Sequence, residues 1–170
     1  MAATIQLYLV RHGVAAERGP DYPDDRLRPL TPAGVRRFAA AVPGLTELGV
    51  TIDFVLTSPL VRARDTATLL AAGLNPRPAI EEVEALAPGG RQQAVIEAIT
   101  LHARRHRRLA LVGHEPDLGE LASRLLAARG TIVFKKGAIA AIDVDGATPG
   151  GPGALRWLLT PRALRALAPR

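Results

Sequence analysis

The sequence predicts an α/β fold: a single three-layer α/β/α domain in which helices cover both faces of a mostly parallel sheet. Short runs that are apolar at nearly every position alternate with segments whose apolar residues recur at helical spacing, a pattern typical of βαβ units. Strands that are apolar at consecutive positions are buried on both faces. The chain has 170 residues and no repeat or linker, so residues 1–170 are expected to form one domain.

The first strand and helix are predicted near the N-terminus. Thr4 to Val10 is mostly apolar and is followed by Gly13, which suits a buried strand that ends in a loop. The next segment with helical spacing begins at Thr31, with Pro32 at the favoured first helical position. Pro43-Gly44 is expected to kink or end this helix, because proline removes a backbone donor and its ring clashes with the preceding turn.

A second strand and helix follow directly on one another. Ile52 to Thr57 is apolar, and Ser58-Pro59 is predicted to be the N-cap and first residue of a helix that continues to Ala72. After a proline-rich stretch, Ala79 to Val83 is predicted as a weaker third strand.

The same alternation continues in the second half of the chain. Arg91 to Arg105 has apolar residues at helical spacing, and Leu109 to Val112 is predicted as a strand that ends at Gly113-His114. A further helix is predicted from Pro116 to about Ala128.

Three short strands are predicted towards the C-terminus. They are Ile132 to Phe134, Ala138 to Val144 and Leu155 to Leu159, and the glycine- and proline-rich stretch Gly146 to Gly153 is predicted as the loop between the last two. Open α/β sheets place their functional sites at the carboxyl ends of the strands, so the polar residues that follow strands are the first candidates for a site.

Composition excludes several classes of protein. The chain has no cysteine, which excludes disulfides, a thiolate nucleophile and cysteine-ligated metal sites. No apolar run approaches the ~20 residues of a membrane span, and no basic segment precedes the first strand as in a signal peptide. We therefore expect a cytoplasmic protein with no membrane partner. The formal net charge of +6 favours anionic partners, among them nucleic acid, acidic proteins and phosphorylated substrates.

Arg11-His12-Gly13, directly after the first strand, has the residue types that bind and attack a phosphoryl group. A neutral imidazole can attack phosphorus, a guanidinium donates to phosphoryl oxygens through a planar fork, and glycine allows the backbone to approach a ligand. A tripeptide of this kind also occurs by chance in loops, so the motif needs support from elsewhere in the chain.

Two other strand ends supply that support. Arg62 is predicted in the first turn of the helix after the second strand, where free backbone N–H groups already favour an anion. Spacing alone does not decide between Arg62 and Arg64 as the anion ligand, and either could be a solvated surface charge. His114 follows another strand and precedes a helix opened by Pro116, which makes it a candidate phosphate donor.

These motifs, taken together and in order, resemble the histidine phosphatase superfamily and, within it, the short phosphohistidine phosphatases of the SixA-like branch. The matching segments are Leu9 to Gly13, Leu30 to Gly34, Thr57 to Ala67 and Val112 to His114, with weaker matches at Gly137 to Ala140 and Trp157 to Pro161. The resemblance covers nearly the whole chain and implies a phosphoglycerate mutase-like fold.

The resemblance also implies a role for each matching residue. His12 is expected to become phosphorylated while Arg11, Arg62 and His114 hold the phosphoryl group, and Arg62 rather than Arg64 falls at the matching position. Preorganised cationic donors stabilise the transferring group, so no metal or other cofactor is expected. The implied substrate is a protein that carries phosphohistidine, and a small phosphoester remains the alternative.

A general acid is the least defined part of the site. Many members of the superfamily place a carboxylate shortly after the third strand, and Glu84 is the nearest match in this chain. Glu84 could equally be a solvated glutamate in an acidic patch. The imidazole that leaves phosphohistidine is basic and is protonated readily from solvent, so a phosphohistidine phosphatase can act without a tuned carboxyl group.

Three other signals are given a structural interpretation. His102 and His106 have the spacing of metal ligands on a helix, but the surrounding arginines of the Arg104 to Arg108 run would repel a cation. That run could bind nucleic acid, although a basic helix end is the simpler explanation, and no nucleic-acid partner is expected. Lys135-Lys136-Gly137 lacks the upstream glycine of a P-loop.

Two other functions fit the same residues. One is a broader phosphomonoesterase or mutase that acts on a small metabolite through His12. The other is a noncatalytic module that binds phosphate or protein without turnover. All four residues of the motif are present, which counts against the noncatalytic module.

Overall fold

The computed structural model describes residues 3–146, 149 and 151–169. In these residues six strands form one sheet. The strands are β1 (Thr4–Arg11), β2 (Phe54–Thr57), β3 (Ala79–Glu82), β4 (Arg108–Gly113), β5 (Ile139–Asp145) and β6 (Ala154–Leu159). The helices are α1 (Pro32–Ala39), α2 (Val42–Glu47), α3 (Val61–Ala72), α4 (Gln92–Ala103), α5 (Asp117–Leu125) and α6 (Pro161–Leu167), with short 3-10 turns at Asp25–Leu27 and Glu84–Leu86.

The sheet is mostly parallel, as predicted. Its strand order is β3-β2-β4-β1-β5-β6, and the first four of these are parallel to one another. β5 runs antiparallel to β1, and β6 runs antiparallel to β5. Val10 pairs with Ile139, so the segment before β5 lies at the same edge of the sheet as the residues that follow β1.

Helices cover both faces of the sheet, which confirms the three layers. Alternate side chains of a strand point to opposite faces, and in β1 Leu7 and Leu9 enter one apolar core while Tyr8 and Val10 enter another. The first core contains side chains of α4 and α5, and the second contains side chains of α1, α2, α3 and α6. None of the helices in the described part of the chain is long and apolar enough to cross a bilayer.

The first predicted helix is divided in two. α1 ends at Ala39 and α2 begins at Val42, with Pro43 in its first turn. A proline ring clashes with the carbonyl four residues earlier, which here belongs to Ala39. The predicted interruption of the helix is therefore confirmed, although the break lies just before Pro43-Gly44, between Ala39 and Val42.

The predicted cap of α3 is wrong. The helix begins at Val61 and its N-cap is Leu60, with no capping side chain, so Ser58-Pro59 lies just before the helix. The Ser58 hydroxyl lies 2.8 Å from Nε2 of His114 and accepts a hydrogen bond from the Leu60 amide. The Ser58 hydroxyl, which was predicted to cap the helix, therefore contacts His114 at the end of the neighbouring strand instead.

The strand predicted at Ile132 to Phe134 does not form. Side chains occupy the backbone groups that a neighbouring strand would need: Ser123 Oγ accepts from the Ile132 amide and the Glu115 carboxylate accepts from the Phe134 amide. An apolar run predicts burial but does not show which groups its backbone will bind.

At the C-terminus, α6 was not predicted, although Thr160-Pro161 has the same cap-and-proline pattern as Thr31-Pro32. The other strands and helices lie where the sequence places them, with ends that differ by up to three residues. The predicted loop Gly146 to Gly153 lies partly outside the described residues, at positions 147, 148 and 150.

Candidate active site

The four residues singled out in the sequence line one pocket. Arg11, His12, Arg62 and His114 all line a pocket of about 200 Å³ at the carboxyl edge of the parallel strands. The register explains this convergence, because Arg11 pairs with Gly113 and the His12 amide donates to the Gly113 carbonyl at 3.1 Å. The rings of His12 and His114 have centroids 5.1 Å apart.

A backbone hydrogen bond fixes the tautomer of His12. Its Nδ1 lies 2.7 Å from the carbonyl oxygen of Gly13. A carbonyl oxygen only accepts hydrogen bonds, so Nδ1 carries the proton and donates it. In the neutral ring, Nε2 therefore has a free lone pair, which is the form that a nucleophilic imidazole needs.

Burial keeps His12 neutral. Only 8% of the residue is exposed, and this burial lowers the pKa of His12 to about 4, with help from the positive charges of Arg62, Arg11 and Arg28 and against the hydrogen bond to Gly13. The ring is therefore unprotonated at neutral pH, so its nucleophilic nitrogen is available.

His114 is also neutral. Burial, the neighbouring His12 and the positive charge of Arg62 lower the pKa of His114 to about 3. The Ser58 hydroxyl accepts a hydrogen bond from the Leu60 amide, and we assign its own proton to a hydrogen bond donated to Nε2 of His114. Nδ1 of His114 then carries the single ring proton and acts as a donor.

Three buried donors in this pocket have no partner within the described part of the chain. They are Nε of Arg11, Nε of Arg62 and Nδ1 of His114. A buried donor without a hydrogen bond costs about 1–3 kcal/mol, so such groups are rare unless a ligand satisfies them. All three belong to the residues that the sequence assigned to phosphoryl binding.

One terminal nitrogen of Arg11 and both terminal nitrogens of Arg62 are held by the protein. Nη1 of Arg11 donates to the carbonyl of Phe134 at 2.6 Å, and both terminal nitrogens of Arg62 donate to Asp25. Arg62 is 3% exposed. Arg64 instead pairs with Glu82 on the surface, 3.3 Å away, and is not among the residues that line the pocket.

Asp25 forms ion pairs with three arginines that line the pocket. Its carboxylate pairs with Arg18 at 3.0 Å, Arg28 at 2.7 Å and Arg62. Burial alone would raise the pKa of Asp25, but the hydrogen bonds from Arg28 and Arg62 outweigh this effect and lower it to about 2. Asp25 is therefore ionised, and it orients the arginines.

Glu84 lies outside the pocket lining. Its side chain is 72% exposed and receives two hydrogen bonds from Arg26, at 3.0 and 3.2 Å. These bonds lower the pKa of Glu84, which favours the ionised carboxylate over the protonated acid. Its role as general acid stays a prediction.

Sequence reasoning missed Asp25, Arg28 and the carbonyl of Phe134. Asp25 is one of three aspartates in a polar loop, and nothing in its spacing distinguishes it from Asp21 or Asp24. Arg28 does carry a signal, because it stands two residues before the Leu30 to Gly34 segment. A backbone carbonyl has no signature in sequence.

His102 and His106 do not line this pocket. Their rings stack against Phe54, with centroids 4.7 and 4.9 Å from it, at the end of α4. Within the described residues, no three histidine, aspartate or glutamate side chains are grouped so as to hold a metal ion.

Comparison with known proteins identifies the family. The family model "Histidine phosphatase superfamily (branch 1)" matches residues 7–136. The chain belongs to the histidine phosphatase superfamily. This membership supports a phosphatase, a hydrolase that acts on phosphoryl groups.

Individual relatives agree with this assignment. Phosphohistidine phosphatase SixA of Escherichia coli is 29% identical over 164 residues, which span 95% of this chain and 97% of that protein. An uncharacterized protein of Picosynechococcus is 43% identical over 123 residues, or 71% of this chain and 73% of the relative. The solved structure of the protein histidine phosphatase SixA complexed with tungstate superimposes with a TM-score of 0.83 at 27% identity, covering 94% of this chain and 99% of that one. The fold is therefore that of SixA, the phosphoglycerate mutase-like fold.

Proposed function

We propose that this chain, acting as one cytoplasmic domain, hydrolyses phosphohistidine on proteins through a covalent intermediate on Nε2 of His12. The observation that carries the proposal is the hydrogen bond from Nδ1 of His12 to the Gly13 carbonyl. It leaves Nε2 free to attack, in a pocket whose unpartnered donors belong to Arg11, Arg62 and His114.

The first step transfers the phosphoryl group to the protein. Nε2 of His12 forms a bond to phosphorus while the bond between phosphorus and the substrate imidazole nitrogen breaks. Arg11, Arg62 and His114 donate hydrogen bonds to the phosphoryl oxygens, which stabilises the charge that is spread over them in the transition state. The departing imidazole nitrogen takes a proton from solvent.

The second step returns the protein to its starting state. Water attacks phosphorus, the bond to Nε2 of His12 breaks, and inorganic phosphate leaves. The attacking water keeps one proton and gives the other to a phosphoryl oxygen, so the group leaves as dihydrogen phosphate while Nδ1 keeps its own proton and its hydrogen bond to Gly13. The same donors serve both steps, because the phosphoryl group does not leave the pocket between them.

Two features support a protein substrate over a small ester. Between Ala72 and Arg108 the chain forms only β3, the turn Glu84–Leu86 and α4 in its described structure, which leaves little chain to build a lid. Glu84 is exposed and paired, so a leaving group that needs no tuned acid is favoured. The similarity to SixA supports the same substrate, because that protein is named a phosphohistidine phosphatase. A SixA structure holds tungstate, which is a tetrahedral oxyanion like phosphate.

The test is to trap the intermediate. Protein mixed with a substrate that carries labelled phosphohistidine and quenched rapidly without acid should retain label on His12. His12→Ala should lose both the label and turnover, while Arg64→Ala should keep both. Full activity in His12→Ala would overturn the mechanism. Faster turnover, in kcat/KM, of a sugar phosphate or a phosphoglycerate than of every phosphohistidine protein tested would instead overturn the substrate.

A further inference from the structure

A second cavity adjoins the phosphate pocket. It has a volume of about 260 Å³ and is lined by Gly13, next to the nucleophile, and by Lys136, which also lines the phosphate pocket. The mechanism above does not use this cavity. It lies at the carboxyl edge of the parallel strands, next to the phosphate pocket.

The fold holds this cavity in a fixed position relative to His12. The Gly137 amide donates to the carbonyls of both Arg11 and His12, at 3.1 and 2.9 Å. Gly137 has a φ of +75°, and a Cβ there would come within 2.8 Å of the Pro161 ring at the start of α6. Residues 135–137 are therefore packed between the catalytic loop and α6, which form two walls of the cavity.

The walls of the cavity are basic. Five cationic side chains from α1, residues 135–136 and α6 line it: Arg37, Lys135, Lys136, Arg162 and Arg165. Among the residues that the structure describes, none of these five forms an ion pair with a carboxylate. In the phosphate pocket, by contrast, the Asp25 carboxylate pairs with three arginines and offsets one of their positive charges. The cationic side chains of the second cavity therefore have no carboxylate partner within the described residues and are available to an anionic ligand.

The floor of the cavity is apolar. Phe38 is buried beneath it, and Gly13, Gly34 and Pro161 add surface without charge. An apolar floor below cationic walls suits a ligand with a short hydrocarbon stem and an anionic tip, because the stem is removed from water while the tip keeps polar partners. The side chains of glutamate and aspartate have this form.

From this arrangement we infer that the cavity receives an acidic side chain of the protein substrate, carried close to the phosphohistidine. The inference rests on the proposed function, since it takes the phosphoryl group to arrive on a protein. The cavity selects substrates, and the chemistry at His12 proceeds without it. Arg37, Lys135, Lys136 and Arg162 are exposed, so they can also attract such a partner over a distance set by salt.

Two phosphohistidine peptides test this inference. They are identical except that one carries glutamate and the other glutamine at the residues flanking the phosphohistidine. The wild-type protein should hydrolyse the glutamate peptide with the higher kcat/KM. In the double variant Lys135→Gln, Arg162→Gln this preference should fall about fivefold, through a change in KM with kcat unchanged. Salt at about 0.5 M shortens the Debye length to ~4 Å, so it should also reduce the preference of the wild-type protein.

A matched control separates this effect from general charge. Arg36 is exposed beside Arg37 on α1 but does not line the cavity, so Arg36→Gln should keep the wild-type preference. Arg162→Glu replaces one of the five positive charges with a negative one, so it should weaken the preference more than Arg162→Gln does. Far-ultraviolet circular dichroism checks that each variant is folded.

The outcomes distinguish the two proposals. Equal hydrolysis of the two peptides by the wild type would overturn this inference and leave the proposed function intact. Hydrolysis of neither peptide, with turnover of small phosphate esters, would overturn both. An equal rise in KM for a small dianionic ester in the double variant would assign the cavity to a metabolite and also overturn the inference.

Discussion

Arg62 is held by Asp25 at two points: Nη1 donates to the Asp25 carbonyl at 2.7 Å and Nη2 to its carboxylate at 2.9 Å. The guanidinium plane is fixed by these bonds, which leaves Nε as the nitrogen without a partner among the described residues. The position of the Arg62 guanidinium is therefore set by a loop far away in sequence. Both residues can be tested.

Arg62→Ala is expected to cost far more activity than Arg64→Ala. Loss of one preorganised donor to the phosphoryl group should remove about 3 kcal/mol of transition-state stabilisation, or roughly 10² in rate. Arg64 pairs with Glu82 on the surface, so its loss should change kcat/KM less than about twofold. Equal effects of the two substitutions, measured as kcat/KM, would show that the donor is misassigned.

Asp25→Asn is expected to lower kcat without raising KM. The neutral side chain orients Arg62 less firmly, and small errors in position cost roughly tenfold to hundredfold in rate. It also leaves the charge of Arg18 and Arg28 uncompensated, which strengthens ground-state binding of phosphate. Steady-state kinetics and phosphate inhibition measure the two effects. Asp24→Asn keeps an acceptor at the cap of the turn and is the matched control; a similar loss of kcat there would point to damage to the loop.

The stability of the protein should fall as the pH is lowered from about 7 to 4. The pKa of His12 is about 4 in the folded chain against an ordinary value of 6.5, so between these values the unfolded chain binds a proton that the folded chain does not. This difference amounts to about 3 kcal/mol, fully present above pH 6.5. Urea unfolding at several pH values measures it, and His12→Asn should reduce the dependence without abolishing it, because His114, with a pKa of about 3, contributes over the same range. An unchanged slope in that variant would exclude His12 as its source. Asp25, with its pKa of about 2, acts only at lower pH.

Glu84→Gln should distinguish ester from phosphohistidine hydrolysis. An alkoxide leaving group needs a proton in the transition state, and general acid catalysis contributes about 10²–10⁴ in rate. If Glu84 leaves Arg26 and donates this proton, the variant should slow hydrolysis of an alkyl phosphate and leave hydrolysis of phosphohistidine nearly unchanged. Arg26→Gln removes the partner of Glu84 and should not slow either reaction. Equal slowing of both substrates by Glu84→Gln would remove the argument from the leaving group.

Activity should survive exhaustive chelation. The pocket is lined by Arg11, Arg18, Arg28 and Arg62, which already supply positive charge to the phosphoryl oxygens and repel a divalent cation. Turnover measured before and after dialysis against a chelator tests this expectation. Restoration of activity only by an added divalent metal would contradict it.

The sequence predicted the parts of the site that depend on strand ends. Arg11, His12 and His114 follow buried strands, and parallel pairing brings such ends together whatever the details of the loops. Asp25 could not be predicted in the same way, because it reaches Arg62 through a loop that has no periodic pattern. Ser58 was assigned to a helix cap, since its bond to His114 depends on tertiary contact.

The C-terminal half of the fold shows the same limit. The strand predicted at Ile132 to Phe134 was wrong because side-chain oxygens bind its backbone amides, and no local pattern reveals such long-range partners. The antiparallel direction of β5 was likewise not predicted. Hydrophobic periodicity identifies which segments are buried, whereas their direction and their partners depend on the whole chain.

The antiparallel direction of β5 separates two tasks that many enzymes combine. Arg11, His12 and His114 lie at the ends of parallel strands, whereas Lys135, Lys136 and the start of α6 reach the same edge through the antiparallel pair β5 and β6. Side-chain substitutions in the second group that keep the bonds from the Gly137 amide to the Arg11 and His12 carbonyls should leave His12 in place. A lineage could thus exchange one phosphorylated partner for another by altering a handful of surface charges, while the reaction itself is inherited unchanged.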